Sequence, residues 1–200
     1  MKKQNKSKEN AEIEIQVKID GIDKLLKHLK NKAQYISAEW QKDIYFSPSD
    51  SSKSFLNKTP VDEWLRVRYE DSKTSVTYKN FHREKSGFAK FCDEYNTDIK
   101  DGKQMEKVFL ALGFVEIITV DKKRKTYMDG DFEISIDDIK NLGRFVEVEY
   151  KGKKSKEKYL DIKSSMVQYL KDKGCTNIVA NNGGYPFMIL FPKKVKTTLL

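Results

Sequence analysis

From residue 11 to residue 20 the chain reads AEIEIQVKID. Glu12, Glu14, Gln16, Lys18 and Asp20 alternate with Ile13, Ile15, Val17 and Ile19. Alternation of this length predicts a strand with one apolar and one charged face. The period then changes. Ile22, Leu25, Leu26 and Leu29 fall at i, i+3, i+4 and i+7, one stripe of an amphipathic helix that Asp20 is placed to cap. A second stripe, Met105, Val108, Phe109 and Leu112, ends at Gly113, a C-terminal stop. A third helix is expected over about residues 157 to 173, with Tyr159, Ile162, Met166 and Tyr169 on one side.

Between and after these helices the pattern predicts strands at KDIYFS, EWLRVRYED, SVTYKNF, FCDEYNTDI, TVDKKRKTYM, FEISID, RFVEVEYKG and FMILFP. The charged residues keep step within them. Arg66 and Arg68 oppose Leu65, Val67 and Tyr69; Glu147 and Glu149 oppose Val146, Val148 and Tyr150. Lys122 and Arg124 are in phase, as are Glu94, Asn96 and Asp98. Three helices need an apolar surface on which to bury their stripes, and the apolar strand faces supply it. The charged faces then lie on the other side. Either about eight strands close into a barrel with a charged lumen, or an open antiparallel sheet turns its charged face to water. Periodicity alone leaves both open and favours the second.

Composition narrows the function classes. A chain of 200 residues, 38% hydrophobic and 34% charged, is globular but highly charged. The net charge of +9 favours anionic partners. No apolar run reaches the roughly 18 residues of a membrane span, so no membrane partner is expected. Cys92 and Cys175 form no metal-spaced pair and suit a reducing, cytoplasmic setting. With only His28 and His82 besides, a zinc site is not expected. Residues 1–10, MKKQNKSKEN, read as a disordered basic tail and residues 11–200 as one domain. Trp40 and Trp64 read as packing residues.

The order of the motifs resembles the CYTH family, the triphosphate tunnel metalloenzymes, over about residues 11 to 170. Glu12, Glu14 and Gln16 match an opening E-x-E-x-K strand, and an amphipathic helix follows. LRVRY matches an arginine strand and TYKN a lysine strand. Val120, Lys122, Arg124 and Tyr127 match V-x-K-x-R-x-x-Y, and ISIDDIKNLGRFVEVEY matches the closing acidic pair of strands.

The resemblance implies an α+β fold: a closed antiparallel β-barrel of about eight strands, forming a charged tunnel with helices packed outside. It implies a triphosphate substrate (ATP, thiamine triphosphate or tripolyphosphate) held with Mg²⁺ or Mn²⁺. By matching positions, Glu12, Glu14, Glu147 and Glu149, with Asp137 and Glu94, are the metal-side residues. Arg66, Arg68, Lys79, Lys122 and Arg124 are the phosphate-side residues. Lysine would be the catalytic residue at position 16; here it is Gln16, with Lys18 two residues on and in phase to compensate. Asn96 is a second departure, where relatives often carry glutamate. An amide donates hydrogen bonds to phosphate but supplies no charge. The expected activity is that of a class IV-like adenylyl cyclase, with a triphosphatase as the alternative. A non-catalytic polyphosphate- or nucleotide-binding module is a further reading. Nucleic acid is not an expected partner, and a homodimer is left open.

Overall fold

The computed structural model describes residues 11–152 and 159–200. The expected tail at 1–10 and the start of the third helix lie outside the described residues. In chain order the first elements are β1 (Ala11–Glu12), β2 (Glu14–Asp20), α1 (Ile22–Lys32) and β3 (Gln34–Pro48). Then come β4 (Glu63–Glu70), β5 (Thr74–Arg83), β6 (Ala89–Ile99) and α2 (Gly102–Ala111). β7 (Phe114–Asp129), β8 (Phe132–Ile139), β9 (Gly143–Tyr150) and α3 (Tyr159–Asp172) follow. The chain ends with β10 (Thr176–Asn181), α4 (Gly184–Leu190) and β11 (Thr197–Leu199).

This is an α+β protein with one large antiparallel sheet and four α-helices among the described residues. The strands run in the order β1-β6-β5-β4-β3-β7-β8-β9-β2-β10-β11. Among the described residues its hydrogen bonds do not close it into a ring. Instead the first strand is split at Ile13: β1 pairs with β6 while β2 pairs with β9. One short piece of chain therefore touches both flanks of the central strands.

The alternation is resolved in favour of buried apolar faces under helices. Ile15, Val17, Ile134, Val146 and Val148 form a core with Leu25 and Leu29 of α1 and Ile162, Met166 and Leu170 of α3. A smaller core joins Ile44, Phe46 and Val67 to Met105 and Phe109 of α2. Within the α2 stripe only Met105 and Phe109 pack inward; Val108 and Leu112 are exposed.

Three expectations need correction. The first four residues of FMILFP are helical, not a strand: α4 buries Phe187 completely, and an apolar run this short carries no period that separates helix from strand. Thr176–Asn181 and Thr197–Leu199, which carry little alternation, are strands β10 and β11. Asp20 does not cap α1. Gly21, at φ 78°, takes that place, and the Asp20 carboxylate accepts a hydrogen bond from Asn177 Nδ2 at 2.6 Å.

Candidate active site

The charged strand faces converge on a cavity of about 380 Å³. Eleven of the thirteen residues expected at the site line it: Glu12, Glu14, Gln16, Arg66, Arg68, Lys79, Glu94, Lys122, Arg124, Glu147 and Glu149. They reach it because residues two apart on a strand share a face. Asp137 lies directly beneath the lining, fully buried. Lys18 does not reach it; its ammonium lies 3.3 Å from the Leu142 carbonyl and over the Phe145 ring. Its charge thus lies away from the cavity lining that Gln16 joins.

Four cations form one wall, and two buried aspartates organise it. Asp43, opposite Arg68 in the β3–β4 register, accepts from Arg68 Nε at 2.6 Å and Nη2 at 2.8 Å, and from Arg66 Nη1 at 3.1 Å. Asp137, opposite Arg124 in the β7–β8 register, accepts two bonds from Arg124, both at 2.6 Å. Lys122 Nζ at 3.2 Å and the Tyr185 hydroxyl at 2.8 Å complete its shell. Burial opposes ionisation of both aspartates, but the paired cations outweigh it and hold each well below the usual carboxylate range. Burial and the neighbouring Arg124 push Lys122 down to about 8, against the pull of Asp137. Asp137, expected on the metal side, is thus placed among the cations. Glu147 is placed at the border. Arg124 Nη2 donates to it at 2.9 Å and Gln16 Nε2 at 3.3 Å, and despite burial Arg124 keeps it below the usual range.

The opposite wall is acidic and short of counter-charge. Glu14 faces Glu149 directly in the β2–β9 register, and Glu133 faces Glu149 in the β8–β9 register. Like charges set directly opposite destabilise a ladder. Lys79 Nζ lies 3.2 Å from Glu12, 3.9 Å from Glu14 and in contact with Glu94. Lys151 reaches Glu149 at 2.7 Å. Burial pushes Glu12 up to about 8 against the pull of Lys79, helped by a hydrogen bond with Glu94. Glu94 is buried too, but Lys79 and that same bond hold it down to about 2, so one proton serves the pair. Burial raises Glu14, and it raises Glu149 to about 6 in spite of Lys151.

Several of these residues escaped sequence reasoning. Asp43 carried a usable signal: it alternates with Ile44 and Phe46 and is in phase with Tyr45. Tyr185 carried none, since it lies just before the expected strand FMILFP and in no expected element. Asn181 donates to Gln16 Oε1 at 3.3 Å and accepts from the backbone amides of Gly183 and Gly184. Gln16 is therefore a bridge from Glu147 to the loop that precedes α4. Trp64 is buried edge-on against Tyr45, and both rings also line the cavity. Among the described residues no three His, Cys, Asp or Glu groups stand at metal-holding geometry. The donor chemistry nevertheless suits a hard divalent cation, because Glu12, Glu14 and Glu94 already gather carboxylate oxygens around one positive charge.

An antiparallel sheet with helices on its apolar side carries a cavity lined by both cationic and acidic side chains, a donor set that can take an anion and a cation. Residues 10–172 match the model of the CYTH domain, and the chain belongs to the CYTH family, whose members include metal-dependent adenylyl cyclase-like and triphosphatase enzymes. A Methanocaldococcus jannaschii protein provisionally named an adenylate cyclase is 39% identical over 139 residues, covering 69% of this chain and 75% of that one. Uridine-cytidine kinase C of Dictyostelium discoideum is 28% identical over 107 residues, but the match spans only 22% of that protein. Among solved structures, a Pyrococcus horikoshii protein superposes with a TM-score of 0.71 at 22% identity, covering 88% of this chain and 98% of that one. A Hippeastrum protein, provisionally named an adenylyl cyclase and described as having a dominant triphosphatase activity, gives 0.61 at 17%, covering 91% and 95%. At these identities the two structures bear on the fold alone. No helix among the described residues is long and apolar enough to cross a membrane.

Proposed function

We propose that this protein is a divalent-cation-dependent enzyme acting on a triphosphate held across the cavity, with ATP cyclisation as the leading reaction. One observation carries the reading: cations and carboxylates from different strands line one space of about 380 Å³. The cationic wall binds the phosphate oxygens. Arg66, Arg68 and Arg124 keep a fixed orientation through Asp43 and Asp137, so little ordering is left for the substrate to induce. Glu12, Glu14, Glu94 and Glu149 would hold Mg²⁺ or Mn²⁺ from the other side. The bound cation would supply charge stabilisation for phosphoryl oxygens as the bond to the leaving group breaks. Lys122, lowered to about 8, gains a phosphate partner that favours its protonated form and can follow charge onto a leaving pyrophosphate.

The walls wrap into a tunnel in this reading. The split first strand supports it, since it joins the β6 flank to the β9 flank across Ile13. Residues 11–200 would then act as one unit. The name of the 39% identical relative supports cyclisation, in which the ribose 3′-hydroxyl attacks the α-phosphate and pyrophosphate leaves. Hydrolysis at the terminal phosphate is the second reading, supported by the activity described for the Hippeastrum protein of similar fold. The same walls serve either reaction, because phosphoryl transfer is mostly positioning and electrostatics.

A product assay separates the two. The protein is given ATP, thiamine triphosphate or tripolyphosphate with Mg²⁺ or Mn²⁺. Cyclic AMP with pyrophosphate identifies a cyclase, and orthophosphate a triphosphatase. No product from any substrate would overturn the enzymatic reading.

A further inference from the structure

Lys79 belongs by sequence among the phosphate ligands, yet its ammonium lies inside the acidic wall. It faces Glu94 across the β5–β6 ladder and reaches Glu12 of β1 and Glu14 of β2 as well. Three carboxylates from three strands thus meet on one monovalent cation. A hard divalent cation would require the same oxygens, and two cations cannot share so small a space without strong repulsion. We propose that Lys79 and the divalent cation compete for Glu12, Glu14 and Glu94, so that the metal enters fully only when a polyphosphate draws the ammonium away.

The geometry supplies the second position. Lys79 is paired with Trp64 across the β4–β5 ladder, and Arg66 with Thr77 one pair further along the same face. Lys79 and Arg66 are therefore diagonal neighbours, within the reach of long side chains. The four-carbon stem of lysine lets its charge move while its Cα stays fixed, which arginine's rigid fork does less readily. A phosphate held by Arg66 would offer Lys79 new acceptors and leave the three glutamates to the metal. Lys79 would then couple the two ligands, favouring their entry as a complex over either alone. This inference rests on the reading of the cavity as a metal–triphosphate site.

The test is calorimetric titration of Mg²⁺ alone into wild type, Lys79→Met, Lys79→Gln and Lys79→Arg, in mildly alkaline buffer where protons do not occupy the carboxylates. Tripolyphosphate is titrated separately in the presence of a chelator, and circular dichroism checks each fold. Lys79→Met and Lys79→Gln should bind Mg²⁺ about tenfold tighter than wild type, or about 1.4 kcal/mol. Both should bind metal-free tripolyphosphate more weakly, and Lys79→Arg should keep the weak Mg²⁺ affinity of wild type. A merely structural lysine would not give tighter metal binding on removal. Mg²⁺ affinity equal to or below wild type in a folded Lys79→Met or Lys79→Gln overturns the competition while leaving the cavity reading intact. If no variant binds Mg²⁺, tripolyphosphate or their complex, that underlying reading falls as well.

Discussion

The two walls of the cavity solve the problem of buried charge in opposite ways. On the cationic wall each ladder sets unlike charges opposite: Asp43 against Arg68 and Asp137 against Arg124. On the acidic wall the ladders set like charges opposite: Glu14 against Glu149 and Glu133 against Glu149. Buried charge is tolerated when paired and costly when not. The first wall holds its arginines on ionised aspartates and is short of charge only at Lys122, whereas the second holds protons and shares Lys79 among three carboxylates. The difference teaches which side must gain a ligand's charge to become fully ionised. Preformed cations suit an anion that binds without reorganisation, and the strained carboxylates suit a cation arriving with it.

The largest expected contrast is in stability. Asp137→Ala removes the carboxylate from between Arg124 and Lys122, so Lys122 loses its carboxylate partner and Arg124 keeps only Glu147. Losing one partner of a buried pair costs about 3–5 kcal/mol. For a chain of this size that lowers the melting temperature by on the order of 10 °C. Glu12→Gln, on the strained wall, should lower it little or raise it. Thermal melts in which both variants fall equally would erase the distinction between the walls.

Next comes ligand binding. Arg68→Ala removes a charged donor worth about 1.5–3 kcal/mol, so tripolyphosphate affinity should fall on the order of 10- to 100-fold with or without metal. Glu149→Gln should weaken the dependence on Mg²⁺ and spare metal-free phosphate binding. Calorimetry on the two variants checks the division, and a reversed pattern would mean the walls are misassigned.

A smaller effect follows pH. Glu12 is raised from 4.5 to about 8 in the fold, so the folded state binds its proton more tightly than the unfolded chain. The stability this contributes is present at low pH and lost as pH rises from about 4.5 through about 8. The melting temperature of Glu12→Gln, measured relative to wild type without divalent ions, should therefore climb across that window. The aspartates of the other wall behave in the opposite sense. Their stabilisation is present above their ordinary pKa and is lost only as acid protonates them. A flat difference between Glu12→Gln and wild type would show that the carboxylate is not strained.

The smallest expected effect concerns Gln16. Replacing it with lysine would put a full charge beside Glu147 and the phosphates but would remove the acceptor that Asn181 uses. Turnover of Gln16→Lys should rise by about tenfold or less, equivalent to at most about 1.4 kcal/mol. Stability should drop by about one hydrogen bond, roughly 1 kcal/mol. A collapse in steady-state rate would instead mark Gln16 as a required bridge to the loop before α4.

These walls were unequally legible in the sequence. Alternation with period 2 exposed Glu12, Glu14, Arg66, Arg68, Lys122 and Arg124, because each lies on a strand whose apolar partners betray its facing. It could not tell which carboxylates meet cations, since that depends on cross-strand register. Asp137 was consequently read with the metal ligands although it sits among arginine and lysine. Lys79 was read with the phosphate ligands although its ammonium lies among glutamates. The helix stripes of α1 and α3 were plain in the 3.6-residue period. The apolar run within α4 was too short and too uniform to show one, and Tyr185, just before that run, fell in no expected element.

The measurement that tests the division most directly is a crystal structure with Mn²⁺ and tripolyphosphate, with manganese located by its anomalous scattering. Manganese is expected within the cavity, bound by carboxylate oxygens from among Glu12, Glu14, Glu94 and Glu149, with phosphate oxygens on Arg66, Arg68, Lys122 and Arg124. Manganese on Asp43 or Asp137, or a polyphosphate bound outside the cavity, would contradict that division.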